Sequence, residues 1–168
     1  MIDNDTKKTV LRMIPYGLFV LTSRGDNDQV AAAAVNWVTQ TSFKPPLIAV
    51  AVRADSFAHT LIQESGVFAL NALGKDQAAA AFAFFKPTVR EGMTLSGEPF
   101  HDGETGCPIL DNFPAFAECR VAGSLAVGDH TIFAGEVVAV GLKQPIQGRP
   151  DDAILTLRDL GPNIFYGG

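Results

Sequence analysis

The sequence predicts a mainly β protein: an antiparallel barrel of about six strands with two or three short helices, one lying across an end of the barrel. Three observations lead there. Strand-forming runs flank turn-rich sequence at 16–38 and again at 117–142, and each pair reads as a hairpin. Helical patterns are few and clustered, which argues against a sheet that alternates strand and helix. The chain of 168 residues is 47% hydrophobic, with mean hydropathy +0.17, ample for one domain with a real core.

Asp3 to Met13 is a short helix, with Val10, Leu11 and Ile14 on one face and Pro15 as its stop. Tyr16–Ser23 is rich in strand formers, and Arg24-Gly25-Asp26-Asn27-Asp28 supplies turn chemistry. Gln29–Val38 resumes as strand, despite four alanines at 31–34. Those small side chains let something flat approach the backbone, or they simply face bulky neighbours. Lys44-Pro45-Pro46 does not belong inside a central strand. Leu47–Val52 is wholly apolar and suits a strand buried on both faces. Asp55 or Ser56 caps a helix over Phe57–Ser65, and Gly66 ends it. Val67–Leu70 is strand, and Gln77–Phe85 is a second helix after Asp76. Lys86–Phe116 reads as a long loop, the kind often found at functional sites or interfaces. Ala117–Val127, broken near Gly123, and Thr131–Leu142 form the second hairpin around Gly128-Asp129-His130. Ala153–Leu157 is expected as an edge strand. The tail, Gly161 to Gly168, is irregular yet aromatic and is expected to dock on the rest of the molecule.

Composition excludes several functions. The net charge is -5, and no basic patch suits a nucleic acid. No apolar run is long enough for a membrane helix, and the N-terminal stretch is unlike a signal peptide. Cys107 and Cys119 form neither a CxxC pair nor a disulfide framework, so a cytoplasmic setting is expected. Cys119 reads as a buried small hydrophobe, and Cys107, in a Gly-Cys-Pro loop, as exposed. His59, His101 and His130 are too scattered for a metal site. Charged residues are only 18%, which hints at an interface.

Three segments carry candidate chemistry. In NWVTQTSFKPP, hydroxyl and amide side chains crowd around the only tryptophan, Trp37, where they suit a planar heterocycle or a phosphate. An ordinary strand-to-loop exit explains the same residues equally well. In RADSFAHT, Arg53 and hydroxyls stand at a helix N-terminus, whose free N–H groups and dipole favour an anion. Plain N-capping explains Asp55 and Ser56 but not Arg53. In GDHT, His130 sits at a hairpin tip; if the tip closes on a ligand, it is a donor or acid near neutral pH. Phe82, Phe84 and Phe85 stand at helical spacing, more in keeping with core or dimer contacts than with ring stacking.

These segments, in this order, resemble the flavin reductase-like proteins with the FMN-binding split barrel. The matching stretches are NWVTQTSFKPPLIAVAV, SFAHTLIQESGVFALN and ECRVAGSLAVGDHTIFAGEVV, and the likeness covers about residues 10–168. The resemblance implies one domain over 1–168, folded as a six-stranded Greek-key split barrel. It implies a homodimer with FMN near the subunit interface and NADH or NADPH as electron donor. Asn36, Trp37, Val38, Thr39 and Ser42 would line the flavin ring. Arg53, Ser56, His59 and Thr60 would reach its phosphate. His130 would stand by the nicotinamide as the catalytic residue, with no metal. Asn36 stands where many members carry a small hydroxyl residue. The closing YGG is similar to the tail of members that work beside iron and flavin electron-transfer proteins. The partner is then an oxygenase or such an electron-transfer protein. Three readings stay open: a flavin reductase, a flavoredoxin-like carrier with tightly bound FMN, and a barrel whose flavin site has decayed.

Overall fold

The computed structural model describes residues 2–168. Helix α1 (Asn4–Arg12) starts on Asp3, whose carboxylate accepts the Thr6 N–H at 2.7 Å. Then follow β1 (Phe19–Arg24), β2 (Val30–Val35), β3 (Val38–Phe43), β4 (Pro46–Arg53), α2 (Phe57–Ser65), β5 (Val67–Ala72) and α3 (Ala78–Ala83). Short strands β6 (Arg90–Glu91), β7 (Thr94–Leu95), β8 (Glu98–Asp102) and β9 (Pro108–Leu110) precede the long hairpin of β10 (Ala115–Ala126) and β11 (His130–Leu142). Two helical turns, α4 (Pro150–Ala153) and α5 (Leu157–Leu160), lead into the tail.

The large sheet is antiparallel, with strand order β2-β1-β5-β10-β11-β4-β3. It has seven strands where the sequence suggested six. The extra strand comes from the run 29–38, which does not continue as one element. β2 stops at Val35, the chain turns through Asn36 and Trp37, and β3 then pairs with β4 on the other rim. Pro46 is tolerated because it is the first residue of β4. Both expected hairpins are present, and β10 is continuous, with bulge-like register shifts rather than a break near Gly123.

Lys86–Phe116 is not a loop. It folds into a four-stranded sheet, β6-β7-β8-β9. Its strands are two to five residues long, too short to show alternation in sequence. The expected edge strand at 153–157 is absent: one bridge joins Ile154 to Gly74, and helical turns flank it. Cys107 is buried, not exposed, because the small sheet carries it into a cluster with Val67, Ala69 and Ile109. Burial pushes its thiol up to about 11 and that of Cys119 up to about 12.

Alternation along the strands divides the core in two. Leu21, Val50, Val52, Phe68, Leu70, Cys119 and Phe133 gather with Ala58, Leu61 and Ile62 of α2. That helix packs against β1, β2 and β4, held by its N-cap Ser56 and by Gly66 in the left-handed region at φ 69°. On the other face, Val20 and Leu18 meet α3, Phe84 and the small sheet through Leu95, Phe100, Leu110 and Phe113. The site lies where β2 gives way to β3.

Candidate functional site

β2 and β3 are the outer strands of the large sheet, and only Asn36 and Trp37 separate them in the chain. A cleft of about 850 Å³ opens beside this crossing, a volume typical of small-molecule sites. β2 lines it with Ala31–Ala34 and Val35, and the turn beyond adds Asn36. The end of β4 contributes Ala51, Val52 and Arg53, and the start of α2 contributes Ser56, Phe57 and Ala58. Phe82, Phe84 and Phe85 line it from α3 and the turn beyond, and His130 and the tail residues Ile164, Phe165 and Tyr166 complete it. The four alanines are therefore a thin wall that brings backbone close to whatever fills the cleft.

A smaller recess of about 380 Å³ adjoins it, lined by Arg53, Ala54, Asp55, Asp129, His130 and Tyr166. Strand register builds this end: β4 and β11 pair so that Arg53 lies opposite His130. The Arg53 guanidinium binds Asp55 through Nε at 3.0 Å and Nη2 at 2.5 Å. That hydrogen bond holds Arg53 above and the Asp55 carboxyl below their ordinary pKa values. The His130 ring has Asp129 Oδ1 at 2.8 Å from Nδ1 and the Tyr166 hydroxyl at 2.9 Å from Nε2. A carboxylate only accepts, so in the neutral ring Nδ1 carries the proton and Nε2 accepts from Tyr166. The bond to His130 lowers the Asp129 carboxyl, and burial raises the Tyr166 phenol. Trp37 lies against the pair, its ring centroid 4.6 Å from that of His130 and 5.3 Å from that of Tyr166.

The sequence-derived candidates divide. Asn36, Arg53, Ser56 and His130 line the cleft. Trp37 stands behind His130, and Val38 packs into the core beneath. Thr39 and Ser42 lie farther along the rim strand β3 and Thr60 is exposed on α2; none of the three lines the cleft. His59 is buried, with Nε2 at 2.8 Å from the Thr131 hydroxyl and its ring against Phe133. It supports the floor and does not reach the cleft. The Ser56 hydroxyl donates to the Arg53 carbonyl at 2.8 Å and accepts the His59 N–H at 3.2 Å. It ties the cradle together and caps the helix. Sequence reasoning missed Asp129 and Tyr166. The aromatic tail was the signal for Tyr166; its docking place was not readable.

The donor set fits a flavin. Asn36 is 4% exposed, yet its Nδ2 has no hydrogen-bond partner among the described residues, and neither does the Trp37 indole Nε1–H. Buried donors without acceptors are costly, and both stand at the one break between the rims. A planar heterocycle with ring carbonyls and nitrogens supplies such acceptors. The alanine wall suits its flat faces, and Arg53 with the start of α2 suits a phosphate.

Comparison with known proteins agrees. The family model for the flavin reductase like domain matches residues 11–158. A flavin reductase (NADH) from Kitasatospora aureofaciens is 32% identical over 142 residues, 84% of this chain and 73% of that protein. An NADH-dependent flavin reductase from Pseudomonas fluorescens is 28% identical over 149 residues, 89% of this chain and 85% of that protein. The solved styrene monooxygenase flavin reductase from Pseudomonas putida S12 superposes with TM-score 0.71 at 26% identity, covering 85% of this chain and 89% of that one.

Proposed function

The chain belongs to the flavin reductase-like domain family, and from that premise we propose that it is an NAD(P)H-dependent flavin reductase that binds FMN in the cleft beside Asn36. The observation that carries this reading is the orphaned donor on Asn36, which lines an apolar cleft, with a second orphaned donor on the adjacent Trp37. A flavin held there would supply the redox chemistry, as the acceptor of hydride from a nicotinamide. The chain's own residues bind, orient and exclude water. Asn36 offers its amide N–H to the polar edge of the ring. Ala31–Ala34 and the phenylalanines keep the ring faces dry, which strengthens the polar contacts made there. Arg53 and the start of α2 take the phosphate, and Arg53 must share its charge with Asp55. His130 stands at the donor end, its protonated nitrogen fixed by Asp129.

We further propose that residues 1–168 act as one domain, that the rolled sheet is a split barrel whose rims meet at Asn36-Trp37, and that two copies pair. Support for pairing comes from β11, where Val138, Val140 and Leu142 alternate along one face and are 40%, 70% and 62% exposed. The partner we favour is an oxygenase that consumes reduced flavin, as the structural relative's role suggests. Among the described residues no helix is long and apolar enough to cross a membrane, which is compatible with a cytoplasmic enzyme.

A second reading, a flavin carrier reduced by protein partners, gains from one fact: Tyr166 already engages His130 Nε2. An absorption spectrum with FMN, followed by anaerobic NADH or NADPH, separates the two. Bleaching by a nicotinamide identifies a reductase; bleaching only by dithionite identifies a carrier. Arg53→Ala weakens FMN binding by about tenfold, the worth of a charged hydrogen bond. His130→Ala slows reduction while FMN stays bound. If that variant loses FMN and keeps its rate, the roles assigned here are wrong.

A further inference from the structure

The last residues of the chain lie across the donor end of the cleft. Ile164–Gly168 belongs to no strand or helix. The Tyr166 hydroxyl sits on His130 Nε2 at 2.9 Å, and its ring lies against Trp37. Gly167, at φ 112°, runs so close to Trp37 that a Cβ there would meet the indole at 3.2 Å. The strap is anchored from outside the cleft. Arg12 of α1 donates to the Gly167 carbonyl at 3.3 Å and covers the Phe165 ring at 4.4 Å. Gly161, at φ 151°, precedes it.

Two properties make this strap displaceable. Its holds are few and lie at the surface: Tyr166 is 45% exposed and Phe165 is 52% exposed. It also occupies the one ring nitrogen of His130 that Asp129 leaves open: Nδ1 is committed to Asp129, and Nε2 would be the nitrogen left for a nicotinamide carboxamide. Tyr166 and the donor then compete for one atom.

We propose that Tyr166 sets the affinity for the nicotinamide donor, acting as a plug on His130 Nε2 that the donor must displace. This rests on the reductase reading above. When the plugged form dominates, the apparent donor affinity is the intrinsic one multiplied by the fraction of molecules whose strap is out. Donor binding in turn frees the strap, since two ligands of one atom exclude each other reciprocally.

The test combines kinetics with a readout that needs no turnover. In the FMN-loaded protein, Tyr166→Phe lowers the KM for NADH by about threefold, the worth of a neutral hydrogen bond. Arg12→Ala, which touches neither cleft nor donor, lowers it in the same direction. The Kd for FMN stays within about twofold in both, because the bonds lost, Tyr166 to His130 and Arg12 to the Gly167 carbonyl, involve no residue assigned to the flavin. Separately, NAD+ added to wild type raises amide hydrogen exchange in the C-terminal peptide. A KM that stays or rises in Tyr166→Phe overturns the proposal, as does exchange that is unchanged or slower on adding NAD+. Slower exchange would make the strap a lid that closes over the donor. If NADH reduces no flavin in wild type, the reductase reading fails, while the exchange experiment still decides the strap.

Discussion

Asn36 shows what one residue exchanges for a site. Its amide is buried, lines the cleft and has no partner among the described residues for Nδ2. An apolar side chain of similar size removes that unmet donor. We therefore expect Asn36→Leu to raise the stability of the flavin-free protein by about 1 kcal/mol and to weaken FMN binding in the same variant. Thermal unfolding with and without FMN measures both; a variant destabilised in both states would show that Asn36 serves the fold alone. Residue types were readable at this scale, but their directions were not. His59 and Thr60 follow Ser56 within one turn or so of the same helix, yet helix α2 turns His59 into the core and Thr60 to the solvent. A pattern of donors along a helix does not say which of them the cleft will see.

At the scale of elements, β10 shows how a strand organises a segment that sequence left formless. Glu118 is 1% exposed and holds the turn before β9. Its Oε1 accepts from the Thr105 N–H at 2.8 Å and the Thr105 hydroxyl at 2.6 Å, and its Oε2 accepts from the Glu104 N–H at 2.9 Å. Glu118 and Arg120 flank Cys119, yet only Arg120 is exposed. Glu118→Ala leaves three part-buried donors without their acceptor, so we expect a loss of about 2 kcal/mol. Glu118→Gln keeps part of this and loses less. Chemical denaturation checks the order, and a silent Glu118→Ala would remove the anchor from this account. Helix α2 and both hairpins were legible because caps, turns and periodicity are local signals. The small sheet was not, because its strands of two to five residues are too short to show alternation, although their partners lie close by in the chain.

At the scale of the whole molecule, the long hairpin leaves a run of apolar side chains exposed: Leu125 and Val127 on and beyond β10, and Ile132, Val138, Val140 and Leu142 on β11. If this face joins two copies, Val140→Asp converts a dimer to a monomer, read by sedimentation. Loss of FMN affinity in that monomer would place the interface at the flavin; unchanged mass would move it elsewhere. Hairpin pairing and strand content could be read from sequence. The strand order could not, because β5 beside β10 and β4 beside β11 are long-range pairings.

The rim strand β3 has a second consequence. Its outer edge pairs with no strand among the described residues, and an unpaired edge is a template on which other chains can add. Thr39, Gln40 and Thr41 make that edge polar and exposed, Lys44 and Pro45 follow at its end, and only Phe43 breaks the pattern, at 86% exposed. The stretch NWVTQTSFKPP thus has two duties. Its first residues offer donors to a ligand, and its remainder guards the open border of the sheet against aggregation, which is why its hydroxyls continue past the cleft.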